Sequence, residues 1–155
     1  MQLPKDFKEF VELMIDASVR FVMIGGFAYN LYRNPRATGD IDFIVSSDEL
    51  NQSRLRLALH EFGFGSVLPP DDQPLIGTGK VLMLGRAPFR IDLLVDIDGV
   101  KFEEIERTCK FFSIDDLEVP VISPRLLLKN KRSTGREKDI ADAIELEKWL
   151  GSEEE

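Results

Sequence analysis

Residues 25–45 read Gly25-Gly26-Phe27-Ala28-Tyr29-Asn30-Leu31-Tyr32-Arg33-Asn34-Pro35-Arg36-Ala37-Thr38-Gly39-Asp40-Ile41-Asp42-Phe43-Ile44-Val45. A glycine pair stands at the end of the apolar run Phe21-Val22-Met23-Ile24. A helix-compatible segment follows and closes at Asn34-Pro35, because the residue before a proline avoids the helical region. Two aspartates one residue apart then lead a second apolar run. Short apolar runs bounded by turn signals read as buried strands, so the local order is strand, glycine turn, short helix, strand. That order suits a site holding a polyphosphate and a divalent metal together.

Working outward, residues 3–17 carry Phe7, Phe10, Val11, Met14 and Ile15 at helical spacing, with Pro4 tolerated in the first turn. Residues 48–62 read as a second amphipathic helix through Leu50, Leu55, Leu57, Ala58, Leu59 and Phe62. Residues 68–79, rich in proline, aspartate and glycine, read as a loop rather than a domain boundary. Residues 80–84 and 89–95 pair as strands across a turn at 85–88, and Asp98-Gly99 is a further turn signal. Residues 110–114 and 119–122 are short strands. Ser123-Pro124 caps a helix through about Lys131, and Gly135 separates it from a last helix ending near Leu150. The expected fold class is α+β, an α/β sandwich in which a mixed sheet is flanked by helices, with helices at the C-terminus. Residues 1–150 read as a single domain and 151–155 as an acidic tail.

Composition narrows the chemistry. One cysteine, Cys109, excludes an internal disulfide and a cysteine-rich zinc site; it sits in Thr-Cys-Lys-Phe-Phe-Ser-Ile, which looks like a strand, and reads as a buried inert thiol. One histidine, His60, has no serine or cysteine partner nearby in the sequence, so a histidine-based triad is not expected. The formal net charge of -8 repels nucleic acid, which makes duplex DNA an unfavoured partner. No apolar run approaches bilayer length and the N-terminus lacks a secretion pattern, so the expected location is cytoplasmic, with no membrane partner.

With fourteen aspartates in the chain, about one Asp-x-Asp pair is expected by chance. Two occur. Asp96 and Asp98 run into Gly99 and read as turn chemistry. Asp40 and Asp42 share one face of a strand while Ile41, Phe43 and Val45 share the other. Two like charges there are costly unless a cation sits between them. Asp92, alone in Phe89-Arg90-Ile91-Asp92-Leu93-Leu94-Val95, needs a partner or a metal. It either completes a three-carboxylate cluster for two Mg²⁺ ions about 4 Å apart or pairs with Arg90 or Arg86. Gly25-Gly26 lacks the Walker and dinucleotide endings; it offers either close backbone approach to a phosphate or a plain tight turn. Lys129, Lys131, Arg132, Arg136 and Lys138 place five cations in ten residues. They either face a phosphate or pair with the helix dipole and with Asp139 and Asp142.

Taken together, residues 21–95 resemble the nucleotidyltransferase superfamily with the DNA polymerase β-like fold: apolar strand, Gly-Gly or Gly-Ser, short helix, Asp-x-Asp, and a third carboxylate on a later strand. The stretch from Arg36 to Asp42, with Leu126-Leu127-Leu128-Lys129 and the run from Gly135 to Asp142, looks more narrowly like the small bacterial AbiEii-like group. The resemblance implies that Asp40, Asp42 and Asp92 are catalytic and hold metal, with Asp92 helping to deprotonate an acceptor hydroxyl. It implies nucleotide binding by Gly25 and Gly26, by Lys129 and Arg136, and more weakly by Arg36 and Thr38 in the loop before Asp40. Gly26 stands where many members have serine, and the chain lacks the large C-terminal domain with which many relatives bind their acceptor.

The implied activity is transfer of a nucleoside monophosphate from an NTP such as ATP to a hydroxyl, with two Mg²⁺ ions, or Mn²⁺ in their place, in a toxin–antitoxin setting. Its acceptor class stays open among RNA, protein and small molecules. Two alternatives stand beside it: a catalytically inactive nucleotide- or protein-binding module of the same fold, and a transferase acting on small antibiotic-type molecules.

Overall fold

The computed structural model describes residues 3–33, 39–86 and 88–154. Their elements, in chain order, are α1 (Lys5–Asp16), β1 (Phe21–Ile24), α2 (Gly25–Tyr32), β2 (Asp40–Val45), α3 (Glu49–Glu61), β3 (Val81–Arg86), β4 (Phe89–Leu94), α4 (Phe102–Thr108), β5 (Lys110–Ile114), β6 (Leu117–Val121), α5 (Pro124–Thr134) and α6 (Glu137–Glu154). The six strands form one mixed sheet in the order β3-β4-β2-β1-β6-β5. The α+β expectation is what the chain adopts. No described helix is long and apolar enough to cross a membrane.

One face of the sheet is closed by the apolar stripe of α1, where Phe7, Phe10, Val11 and Met14 are buried. Phe10 packs at 6.2 Å from Phe43, and Phe43 meets Phe21 edge-on at 5.5 Å. In the antiparallel β1–β2 pair, Met23 lies opposite Phe43 and Ile24 opposite Asp42. The two-residue period therefore sends the aromatic residues to the α1 face and the aspartates to the other. α3 joins α1 through Leu55, Ala58, Leu59 and Phe62, which fall at i, i+3, i+4 and i+7. Leu50 and Leu57, expected to belong to that stripe, lie off it and are exposed.

Capping residues stop and start the helices as expected. Asp48 accepts the Asn51 amide at 2.7 Å, and Ser123 accepts the Leu126 amide at 3.3 Å with Pro124 opening α5. Gly135 adopts φ 73°, the left-handed turn that ends a helix. Around α2, Tyr32 donates to the Ile122 carbonyl at 2.8 Å and packs on Trp149 and Phe112. α2 thereby stands beside α6 at the site end of the sheet.

Four boundaries differ from the reading of the sequence. α2 begins at Gly25 rather than Phe27, because the chain turns directly out of β1. α4 was not anticipated; its apolar signal is only Phe102 and Ile105 within seven residues. Cys109 is the residue after α4 rather than part of a strand, half-buried, with its thiol pushed up by burial. α6 continues past Leu150 through residues expected to form a tail.

Candidate active site

The aspartates stand where β1, β2 and β4 run side by side. The parallel β2–β4 register sets Asp42 against Asp92 and Asp40 against Arg90. All four side chains rise from one sheet face, with neighbouring strands about 4.8 Å apart. Asp92 is 8% exposed. The register follows from burial: Ile41 and Ile91, and Phe43 and Leu93, are paired neighbours that share the apolar face.

Arg90 supplies the local countercharge. Its Nε donates to Asp92 Oδ1 at 2.8 Å, while Nη2 donates to Asp92 Oδ2 at 3.0 Å and to Asp40 Oδ2 at 3.1 Å. Asp92 thus makes the Arg90 pairing offered by the sequence as one alternative, and it also faces the two carboxylates named in the other. One guanidinium against three carboxylates leaves negative charge in excess. Burial, then the charge and hydrogen bond of Asp92, then the charge of Asp40, push Asp42 up to about 7 against the opposing pull of Arg90. Hydrogen bonding to Asp92 raises the Arg90 guanidinium in turn.

Among the described residues, no three His, Cys, Asp or Glu side chains converge as a ready metal site. Arg90 lies between two of the carboxylates. The donors themselves are hard oxygens short of positive charge, which suits Mg²⁺ or Mn²⁺ far better than a thiophilic ion.

Gly25 closes the turn onto this cluster. Its φ of 72° is one that side chains rarely adopt, and a Cβ added there would overlap the Asp42 carboxylate. The carboxylates and Gly25-Gly26 line a cleft of about 570 Å³. Lys131, Arg136, Lys138 and Asp139 line it from the α5–α6 junction, and Lys80, Val81, Leu94 and Ile97 from the β3–β4 side. Asp96 and Asp98 also line the cleft, so the second Asp-x-Asp pair is more than a turn. The Asp96 carboxylate accepts the Gly79 amide at 3.0 Å.

Lys129 departs from its expected place. It is exposed and does not line the cleft, whereas Lys131 does; two residues are about 200° around a helix. Lys131 is 5% exposed, pairs with Asp139 at 3.1 Å and with Asp142 at 3.0 Å, and lies 6.0 Å from the Tyr29 ring. Arg136 reaches the cleft but donates its Nε to Asp139 at 2.7 Å. Burial pushes Asp139 up, yet hydrogen bonds from Thr134 and Lys131 and the charges of Lys131 and Arg136 outweigh it and hold the carboxyl below its usual range. Arg132 turns away to Glu147 at 2.6 Å. Arg36 and Thr38 lie outside the described residues. Sequence reasoning did not select Lys80, Arg90 or Lys131 as site residues. Arg90 had a signal in its parity with Asp92.

Fold and site together define a nucleotidyltransferase-type protein, and solved structures of that class share the architecture. One is an antigenic nucleotidyltransferase-like protein from Paracoccidioides brasiliensis, 19% identical, with TM-score 0.52, covering 91% of this chain and 74% of its own. Another is a lincosamide antibiotic adenylyltransferase with lincomycin bound, 13% identical, with TM-score 0.56 and coverage of 94% and 97%. A third is a candidate nucleotidyltransferase from Thermotoga maritima, 14% identical, with TM-score 0.57 and coverage of 94% and 91%. At such identities the likeness speaks for the fold. No curated protein sequence matches the chain. The family described as "Nucleotidyl transferase AbiEii toxin, Type IV TA system" matches residues 16–131, and the chain belongs to that family.

Proposed function

We propose that the protein transfers a nucleoside monophosphate from an NTP to an acceptor hydroxyl, with Asp40, Asp42 and Asp92 as its catalytic carboxylates. The carrying observation is the β2–β4 register, which faces Asp42 with Asp92 in a cleft that Gly25 closes. Mg²⁺, or Mn²⁺, held by the three aspartates would neutralise charge on the α-phosphate and the departing pyrophosphate. Gly25 and Gly26, at the start of α2, offer backbone N–H groups to the β and γ phosphates. Among the described residues, Lys80 and Lys138 line the cleft with no carboxylate within 4.0 Å, so they are the cations best placed for phosphate. Asp92 takes the proton of the acceptor hydroxyl. Arg90 must leave Asp40 and Asp92 for this, and it then becomes a further cation for the anionic substrate. The family description supports a role as the toxin of a type IV toxin–antitoxin pair.

The Arg90 bridge also favours a second reading, a catalytically silent module that binds nucleotide. One experiment separates the two. Protein is incubated with Mg²⁺, each α-labelled NTP, and RNA, protein and small-molecule acceptor pools, beside Asp40→Ala and Asp92→Ala. Label transfer by the wild type that both variants lose supports the transferase. Nucleotide binding without transfer supports the silent module, and neither binding nor transfer sinks both.

A further inference from the structure

Edge strand β3 borders the cluster on the side away from Gly25, because the order β3-β4-β2-β1 puts β4 and β2 between them. Met83 lies directly opposite Asp92, and Val81 opposite Leu94. Residues opposite one another share a face, so Met83 and Val81 stand on the same face as Asp92. Both are exposed, Met83 at 58% and Val81 at 43%, while Leu84 on the other face is 3% exposed. Val81, Leu94 and Ile97 also line the cleft. Single exposed apolar side chains need no explanation, but a row of them flanking a buried carboxylate in a cleft does.

We propose that this ledge receives the acceptor, and that the acceptor is a small hydroxylated molecule with an apolar ring, its ring on Met83 and Val81 and its hydroxyl toward Asp92. This rests on the transferase reading, which assigns Gly25-Gly26 and the α5–α6 cations to the NTP and leaves the β3 side for the second substrate. Charge and size choose the class. A net charge of -8 opposes a polyanion, and the ledge has apolar surface where a phosphate backbone would need cations. A cleft of about 570 Å³ is of small-molecule size.

The test reads binding without turnover. Of the four methionines, Met14 and Met23 are fully buried, so a methyl-¹³C-methionine sample reports the ledge through Met83, assigned with Met83→Leu. Full-length protein is titrated with phenyl β-D-glucoside, which joins an apolar ring to hydroxyls, and separately with an oligoadenylate. The expected result is a saturable shift of the Met83 methyl with the glucoside and none at Met14 or Met23. Saturation-transfer signals from the phenyl protons should persist in Met83→Leu and report roughly fivefold weaker binding in Met83→Ser. No Met83 shift with the glucoside overturns the proposal. So does a shift with the oligoadenylate alone, or one that follows protein concentration with nothing added, which would make the ledge a contact between copies of the chain. A glucoside shift in a protein that transfers no label fails the transferase reading alone; label transfer without the shift fails the ledge alone.

Discussion

Two clusters of acid and base line the same cleft and are built on opposite terms. At the β2–β4 step, Asp40, Asp42 and Asp92 share one guanidinium, and Asp42 is pushed up to about 7. At the α5–α6 junction, Asp139 and Asp142 share Lys131, and Arg136 and Thr134 complete Asp139, which is held below its usual range. Both sets are substantially buried. The difference lies in how completely each is compensated from within the chain. A buried charge that is fully paired stabilises its surroundings only as long as every partner remains, whereas an under-compensated cluster keeps a standing demand for a cation. The junction is thus a fastening between two helices, and the sheet cluster is the part left open for chemistry.

The largest expected effect separates the two by activity. Asp42→Ala or Asp92→Ala should lower label transfer by at least about a hundredfold, the scale seen when one group stabilising the transition state is removed. A variant at the junction should keep turnover per folded molecule within a few-fold, measured below its melting point. If Asp139→Asn lost as much turnover while still folded, the division between open site and fastening would fail.

Stability should sort them with opposite signs. Asp139→Asn removes one of two carboxylates from Lys131, which is 5% exposed, and the cost of stranding a buried charge is about 3 kcal/mol, near the low end because Asp142 remains. In a chain of this size that lowers Tm by roughly 10 °C in a thermal melt at neutral pH. Asp42→Asn keeps the volume and removes one of three crowded negative charges, so Tm should rise, by about 1 kcal/mol of added stability. A fall in Tm for Asp42→Asn would mean that the sheet cluster is structurally balanced after all.

This contrast was only half legible in the sequence. The Gly25 turn and the strand bearing Asp40 and Asp42 could be read because apolar runs, a glycine pair and Asn34-Pro35 are local signals. The facing of Asp42 with Asp92 could not be fixed, since parallel pairing depends on how the chain returns after α3 and β3, and no local spacing encodes it. Arg90 was visible as a neighbour of Asp92, but its reach to Asp40 depends on the same register. In the basic run, cation density was plain and direction was not, so Lys129 was favoured over Lys131. Helical phase relative to the sheet decides which faces the cleft, and tertiary packing sets that phase. α4 escaped notice because two apolar residues in seven carry little periodicity.

The smallest effect is expected in acid. Pairing holds the Asp139 carboxyl below its ordinary range, so the folded state binds its proton less readily than the unfolded chain does. Its contribution is therefore complete above the unfolded value of about 3.9 and is lost as pH falls through the lower folded value. Asp142 and the carboxylates elsewhere also titrate in this window, so the informative quantity is a difference. Denaturant unfolding of wild type and Asp139→Asn at a series of pH values from neutral downward should show a constant gap that narrows only below about pH 4. The narrowing follows because protonated Asp139 and asparagine are both neutral partners for Lys131. A gap unchanged to the lowest pH at which the wild type stays folded would mean that hydrogen bonding and packing at the α5–α6 junction, rather than charge, hold the two helices together.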